Sequence, residues 1–256
     1  YTVRSSDDSL VTLVVRDMAG HDVATLTQGK IGDNKMSIPA GTSLPLRVIA
    51  TLDLGKYGNP ITAETVFGAP TFTDLDQVLW ARPDVELMAA RGVVKGVGNG
   101  EFGPMGTVTR AQFATFLVRA LGLEPKPTAG RFQDVKAEAW YDGNLGAALD
   151  AGLIKAGGDF MPEGLITRED MAVMLARGLE YKQKGQTLTA DDVTAALSAF
   201  SDVADVTTEA RADIAQVVKA GLMKGRDGGR IAPRETATRA EAIVIIKRLL
   251  TYTGDI

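Results

Sequence analysis

The sequence predicts an α+β protein in which a small β-sandwich-like domain precedes three helical repeats. Three observations carry this prediction: a Thr-Arg motif recurs three times with matching flanks, β-branched residues are frequent near the N-terminus, and the apolar period then becomes helical. The predicted segments are a β-rich domain at 1–70, repeats at 71–124, 131–182 and 200–256, and a linker helix at 183–199.

Runs of β-branched residues predict the strands of the first domain. The runs lie at 10–15, 46–52 and 61–67, with turn signals at 19–20 and 32–34 between the first two. The stretch 15–23, followed by Pro39-Ala40-Gly41, resembles the Ig-like modules of extracellular and flagellar-cap proteins. The segment 1–70 is therefore expected to form a sheet or a small, Ig-like sandwich.

Each of the three repeats opens with Phe-x-Asp and has a glycine, followed by a lysine, near its middle. Gly-x-Phe-x-Pro then precedes Thr-Arg, and in the third repeat Ile231 replaces the phenylalanine of this motif. Apolar residues then recur at i, i+3, i+4 and i+7, which predicts a helix with one buried face. A single helical hairpin cannot bury this face alone. The three copies are therefore expected to share one bundle with pseudo-threefold character.

Composition excludes several functions. The 256 residues carry a net charge of −4, which argues against nucleic acid as the main partner. The absence of cysteine excludes disulfides and thiolate metal sites. No apolar run approaches the roughly 18 residues of a membrane span. The one histidine, His21, has no neighbours at ligand spacing, so neither a metal, a cofactor nor a catalytic triad is expected. Because the chain starts at Tyr1 without Met, we expect a mature or excised fragment.

The combination of Phe-x-Asp-Val, Gly-x-Phe-x-Pro and Thr-Arg-Ala-Glu over residues 71–251 resembles a triplet of S-layer homology domains. This resemblance implies a three-pronged spindle that anchors proteins to the bacterial cell wall, outside the cell. It also implies that grooves between repeats bind secondary cell-wall polysaccharide through its ketal-pyruvylated sugar, with peptidoglycan as another candidate partner. Two alternatives stay open: a fragment of a surface lattice that mainly contacts neighbouring proteins, and the anchor of a hydrolase lying upstream of Tyr1.

The Thr-Arg motifs combine helix capping with a possible ligand role. A threonine followed three residues later by Gln112, Asp170 or Glu241 predicts a capping box. An arginine at the first helical position opposes the helix dipole by about 0.3–1 kcal/mol, so helix formation does not explain it. An arginine beside free N–H groups suits a carboxylate. The resemblance assigns this role to Arg110, Arg168 and Arg239. Replacing all three with Ala is expected to abolish wall binding while leaving the fold intact or slightly more stable.

The remaining candidate ligand residues keep two interpretations each. Lys95, Lys155 and Lys224 either contact the ligand or are simply solvated. Gly100, Gly158 and Gly229 form turns of positive φ and could also let a sugar approach the backbone. Asp74, Asp134 and Asp202 either cap the next turn or accept hydrogen bonds from sugar hydroxyls. Trp80 and Trp140 either stack on sugar rings or pack in the core. Arg119, Arg177 and Arg248, in the last turns of their helices, are interpreted as structural.

The copies also differ from one another. The third has Thr208 where the first two have Trp, and the second has Ala156 in place of a glycine. The loop from Gly152 to Gly158 is two residues shorter than its counterparts. Unequal grooves are therefore expected, and the groove at this short loop is the one least expected to bind.

Overall fold

The computed structural model describes residues 11–17, 21–29, 38–39, 42, 45–53, 60–68 and 72–256. The chain divides into two compact units, one of Tyr1–Lys95 with Asp255–Ile256 and one of Gly96–Gly254. The described elements comprise four antiparallel strands and seven α-helices, in agreement with the predicted α+β class.

The first unit contains one antiparallel sheet. Its strands are β1 (Val11–Arg16), β2 (Asp22–Gly29), β3 (Leu46–Leu52) and β4 (Ile61–Phe67), in the order β2-β1-β3-β4. The sequence predicted β1, β3 and β4 but missed β2, which mixes apolar residues with Asp, Thr and Gln. The predicted turns at 19–20, 32–34 and 40–41 lie outside the described residues, and the Ig-like sandwich stays a prediction.

Strand β1 of the first unit alternates between buried and partly exposed residues, and the sheet is followed by a helix. Leu13 and Val15 on β1 are buried, and the alternate residues Thr12 and Val14 are partly exposed. This alternation is the two-residue period of a strand. A short 3-10 helix (Leu75–Val78) leads into α1 (Arg82–Ala90), which packs against β4.

The second unit contains six helices. These are α2 (Arg110–Ala120), α3 (Asp142–Asp150), α4 (Arg168–Tyr181), α5 (Ala190–Leu197), α6 (Arg211–Lys219) and α7 (Arg239–Thr253). The helices that follow the Thr-Arg motifs, α2, α4 and α7, contact one another in pairs. A Cβ on Gly178 of α4 would lie 3.3 Å from Leu249 of α7 and 3.9 Å from Leu117 of α2. The absence of a side chain at Gly178 therefore lets three helices approach at one point.

The first helix of a copy packs on the second helix of the copy before it. Thus α3 packs on α2, and α6 packs on both α4 and α5. These are the most extensive helix contacts among the described residues of this unit. The apolar face of each motif helix is consequently covered by its neighbours in other copies, which is the physical reason why one copy could not stand alone.

The predicted capping boxes are confirmed. Each motif threonine accepts the N–H of the residue three positions later, and the side chain of that residue accepts the threonine N–H, at Thr109, Thr167 and Thr238. Asp170 serves as well as Gln112 and Glu241 in this role. The insertion before the third copy also forms its predicted capped helix, α5, with Thr189 and Asp192.

The cap of α5 predicts a pH-dependent local stability. Hydrogen bonds from Thr189, followed by Lys219, lower the pKa of Asp192 from 3.8 to about 2. Because the pKa is lower in the folded state, this contribution is complete above the unfolded value and is lost as the pH falls from about 4 towards 2. We expect the amide-exchange protection of α5 to decrease across this window. The decrease should disappear in Asp192→Asn and persist in Asp191→Asn, and an unchanged profile in Asp192→Asn would contradict the assignment.

Candidate functional site

The start of each motif helix is joined to the next copy through backbone hydrogen bonds. The N–H of Arg110 donates to Gly164 O at 2.8 Å, that of Arg168 to Glu235 O at 2.9 Å, and that of Arg239 to Gly106 O at 2.8 Å. The following N–H groups are also used, since those of the next residues donate to carbonyls of prolines in the same loops. The free N–H groups expected at these helix starts are therefore not available for a ligand, and that expectation was wrong.

The three motif arginines repeat one contact between copies. Arg110 Nε donates to Phe160 O at 2.8 Å, Arg168 Nε to Ile231 O at 2.8 Å, and Arg239 Nε to Phe102 O at 3.0 Å. Each acceptor is the central residue of the Gly-x-Phe-x-Pro sequence, or of its Ile variant, in another copy. This contact explains an arginine at an unfavourable end of the helix dipole, and it leads us to expect a loss of stability when these arginines are removed.

The arginines differ in how far they reach solvent. Arg168 and Arg239 are 4% and 7% exposed as residues, whereas the Arg110 side chain is 18% exposed. Arg239 lies over the rings of Phe102 and Phe116, at 4.7 and 5.5 Å from the ring centroids. Of the three guanidinium groups, that of Arg110 is therefore the one best placed to meet a ligand.

Arg168 is buried against the third copy and lies close to a second arginine of that copy. Its Nη2 donates to Lys224 O at 2.8 Å, and burial, followed by nearby Arg226, lowers its pKa. Arg226, which belongs to the longer loop of the third copy, forms ion pairs with Glu235 and with Glu241 at 2.8 Å. Glu235 and Glu241 therefore already provide negative charge close to Arg168, so a ligand carboxylate is not required to balance this arginine.

A cavity of about 210 Å³ brings two of the predicted ligand residues together. Arg110 from the first copy and Lys155 from the second both line it, together with Arg177, Asp159 and Asp170. This cavity lies at the short loop of the second copy. The sequence analysis predicted that the groove at this loop would be the one least expected to bind a ligand. The shorter loop has no counterpart of the third copy's Arg226, and the cavity is open.

Two of the motif aspartates, Asp134 and Asp202, bind the backbone of their own copy. Asp134 accepts hydrogen bonds from Phe160 N and Met161 N at 2.8 and 2.6 Å, and Asp202 accepts from Ile231 N and Ala232 N at 2.7 and 2.8 Å. Asp202 makes no side-chain cap to the turn that follows it, and the same is true of Asp74. The capping interpretation was therefore wrong for these two residues.

Other predicted residues fall where a ligand could reach them. Gly100, Gly158 and Gly229 have φ values of 75°, 65° and 65°, so their turn prediction is confirmed. Lys95, Lys155 and Lys224 are exposed. Trp80 and Trp140 are 59% and 58% exposed, so the core-packing interpretation was wrong and both rings are accessible.

Sequence reasoning missed part of the cavity. Asp159 was not singled out, Asp170 was assigned to capping alone, and Arg177 was interpreted as structural. Arg177 does have a structural contact, because its Nη1 donates to Leu153 O at 3.2 Å, and Arg248 makes the equivalent contact to Leu222 O at 3.1 Å. The sequence did contain one signal for this cavity: Asp170 has a shorter side chain than Gln112 and Glu241 at the same repeat position, which marks this position as different in the second copy.

No group of three or more His, Asp or Glu side chains in the described part of the chain is arranged to hold a metal ion. Among the same residues, no helix combines the length and the apolar character needed to cross a membrane.

The sequence and fold define a repeat protein whose three motif helices are tied to the loops of other copies. The S-layer homology domain family model matches residues 71–114, 131–172 and 199–243. The chain belongs to the S-layer homology domain family. Domains of this family are non-catalytic modules that anchor proteins to the cell wall, and membership indicates a location at the cell surface.

Relatives include both enzymes and surface-layer proteins. The chain is 35% identical to the amylopullulanase of Thermoanaerobacterium thermosulfurigenes over 73% of its own length and 10% of the relative. It is 32% identical to exoglucanase XynX of Acetivibrio thermocellus over 80% of the chain and 19% of the relative. It is 28% identical to S-layer protein EA1 of Bacillus anthracis over 81% of the chain and 23% of the relative. The chain thus spans less than a quarter of these proteins.

Proposed function

We propose that this chain is a cell-wall anchor that binds secondary cell-wall polysaccharide through a ketal-pyruvylated sugar, in the groove formed by Arg110 and Lys155. The observation that carries the proposal is the open cavity in which a motif arginine of one copy meets the aligned lysine of the next. A pyruvate ketal carries a carboxylate, for which arginine is well suited because its donors form a planar fork.

The cavity has the charge needed for an acidic sugar. It is lined by three cationic side chains and by the carboxylates of Asp159 and Asp170, a formal balance of +1 in a chain whose overall charge is −4. On a protein with a net negative charge, a local positive site attracts a single anionic group, while the overall charge disfavours nonspecific binding of polyanions. Exposed Trp80 and Trp140 are further candidates to stack on sugar rings.

The repeat boundaries belong to the same proposal. We place the repeats at 71–124, 131–182 and 200–256, related by a pseudo-threefold axis as in a spindle. Support comes from the arginine contacts, which run from the first copy to the second, from the second to the third, and from the third to the first.

The test is cosedimentation of the chain with bacterial wall sacculi before and after chemical removal of the wall polysaccharide. Lys155→Ala removes an exposed cation of the cavity, and we expect it to weaken binding about three- to tenfold without changing the thermal midpoint. Arg110→Ala should weaken binding at least about tenfold, as expected for loss of a charge-assisted hydrogen bond.

The matched controls are Lys136→Ala and Arg211→Ala, which remove exposed cations outside the cavity and should bind like the wild type. Binding that persists after removal of the polymer would identify peptidoglycan as the ligand. The absence of binding to either preparation would contradict the anchor proposal and favour lattice contacts.

A further inference from the structure

Asp170 occupies two roles with its two carboxylate oxygens. Its Oδ2 accepts the Thr167 hydroxyl at 2.8 Å and so completes the cap of α4. Its Oδ1 lies 2.8 Å from Nη1 of Arg110, the arginine proposed to bind the ligand. The side chain of Asp170 is 37% exposed and lines the same cavity. The carboxylate of Asp170 is therefore already paired with the guanidinium group of Arg110.

The donors of Arg110 leave limited room for a second carboxylate. Nε donates a hydrogen bond to Phe160 O, and Nη1 is in an ion pair with Asp170 Oδ1. Bidentate binding of a carboxylate requires two adjacent donors of the guanidinium group. Nη2 makes no hydrogen bond within the described part of the chain, so an incoming carboxylate that binds in bidentate fashion must share or take Nη1.

The equivalent positions of the other two copies do not make this contact. Gln112 is neutral and its Oε1 accepts the Thr109 N–H at 3.1 Å. Glu241 is charged, but both of its oxygens are bonded to Arg226 of its own copy, at 2.8 and 3.0 Å. The pairing of a capping-box acid with the motif arginine of the preceding copy thus distinguishes the Arg110 groove from the other two.

We propose that Asp170 competes with the ligand carboxylate for Arg110 and thereby sets the affinity and the anion selectivity of this groove. This inference rests on the proposed function of the groove. Asp170 contributes a negative charge next to the ligand carboxylate and is already paired with one of the guanidinium nitrogens that the ligand needs. A weakly acidic or neutral sugar cannot displace it, whereas a carboxylate can exchange with it at Arg110.

The test compares wild type with Asp170→Asn. The asparagine oxygen can still accept the hydrogen bonds of Thr167, so the cap is retained while the charge is removed. We expect Asp170→Asn to bind purified wall polysaccharide about two- to fivefold more tightly, the range expected for one partly exposed ion pair. Glu169→Gln is the matched control. It removes a charge from the same helical turn, but the Glu169 oxygens accept hydrogen bonds from Thr207 at 2.8 and 3.0 Å and the residue does not line the cavity.

A second measurement is independent of the wall polymer. Titration with formate, followed by NMR of the Arg110 side-chain N–H groups, reports directly on carboxylate access to the arginine. Asp170→Asn should lower the formate concentration at half-shift by a similar factor, and Glu169→Gln should not. An unchanged or higher midpoint in Asp170→Asn would overturn the competition. A lower midpoint without polymer binding by any variant would support the competition and refute the proposed function.

Discussion

Arg168→Ala is expected to lower the free energy of unfolding of the Gly96–Gly254 unit by about 3 to 5 kcal/mol, the sum of two lost hydrogen bonds from a charged donor and the cavity left behind. The buried guanidinium donates to Ile231 O and Lys224 O in the third copy, both at 2.8 Å. Without it, the buried carbonyl of Ile231 and the partly buried carbonyl of Lys224 both lose their partner. For a unit of this size the thermal midpoint should fall by on the order of 10 °C.

The measurement is denaturant unfolding followed by circular dichroism, with hydrogen exchange to locate the loss in the third copy. Arg211→Ala is the matched control, because Arg211 also begins a helix but is exposed. It should change stability by less than about 0.5 kcal/mol. Equal stabilities for the two variants would show that the contact between copies contributes nothing, and would restore the expectation that the arginines can be removed without affecting the fold.

Asp202→Ala is expected to destabilise the same unit by about 2 to 4 kcal/mol, because it leaves two backbone N–H groups without their charged acceptor. One of these belongs to Ala232, whose φ of 54° is in the left-handed region that a residue with a side chain adopts at a cost. The other belongs to Ile231, whose carbonyl accepts from Arg168. The carboxylate and the guanidinium therefore hold one residue from both sides.

Unfolding of Asp202→Ala should be compared with that of Asp205→Ala, an exposed aspartate of the adjoining turn. The double variant Asp202→Ala/Ala232→Gly should recover part of the loss, up to about 1 kcal/mol, because glycine adopts positive φ without strain. The first copy already has Gly103 at this position, with a φ of 70°. Full stability of Asp202→Ala would contradict the role of the carboxylate.

The local parts of this fold could be read from the sequence. The starts of α2, α4 and α7 at their arginines follow from the threonine caps and the apolar period that comes after them, which depend on neighbours within one turn or two. Strand β2 was missed because its polar residues hide the alternation on which a strand prediction rests.

The site depends on contacts that no local pattern contains. The acceptors of Arg110, Arg168 and Arg239 lie 50, 63 and 137 positions away in the chain. The repeat alignment identified the arginines as unusual, but it did not reveal that each of them binds a carbonyl group of another copy. The charge pattern beside each motif arginine depends on loop packing, since the third copy's longer loop brings its own arginine to its own glutamates.

The arginine contacts also limit how many copies this architecture can contain. They run from copy one to two, from two to three and from three back to one, so every donor and every acceptor is used once. In an open solenoid, gene duplication can add a unit at either end with little penalty. Here, deletion of one copy would leave an arginine without its carbonyl and a loop without its arginine. A set of three is thus a closed unit, and its evolution is expected to proceed by divergence of individual grooves rather than by a change in copy number.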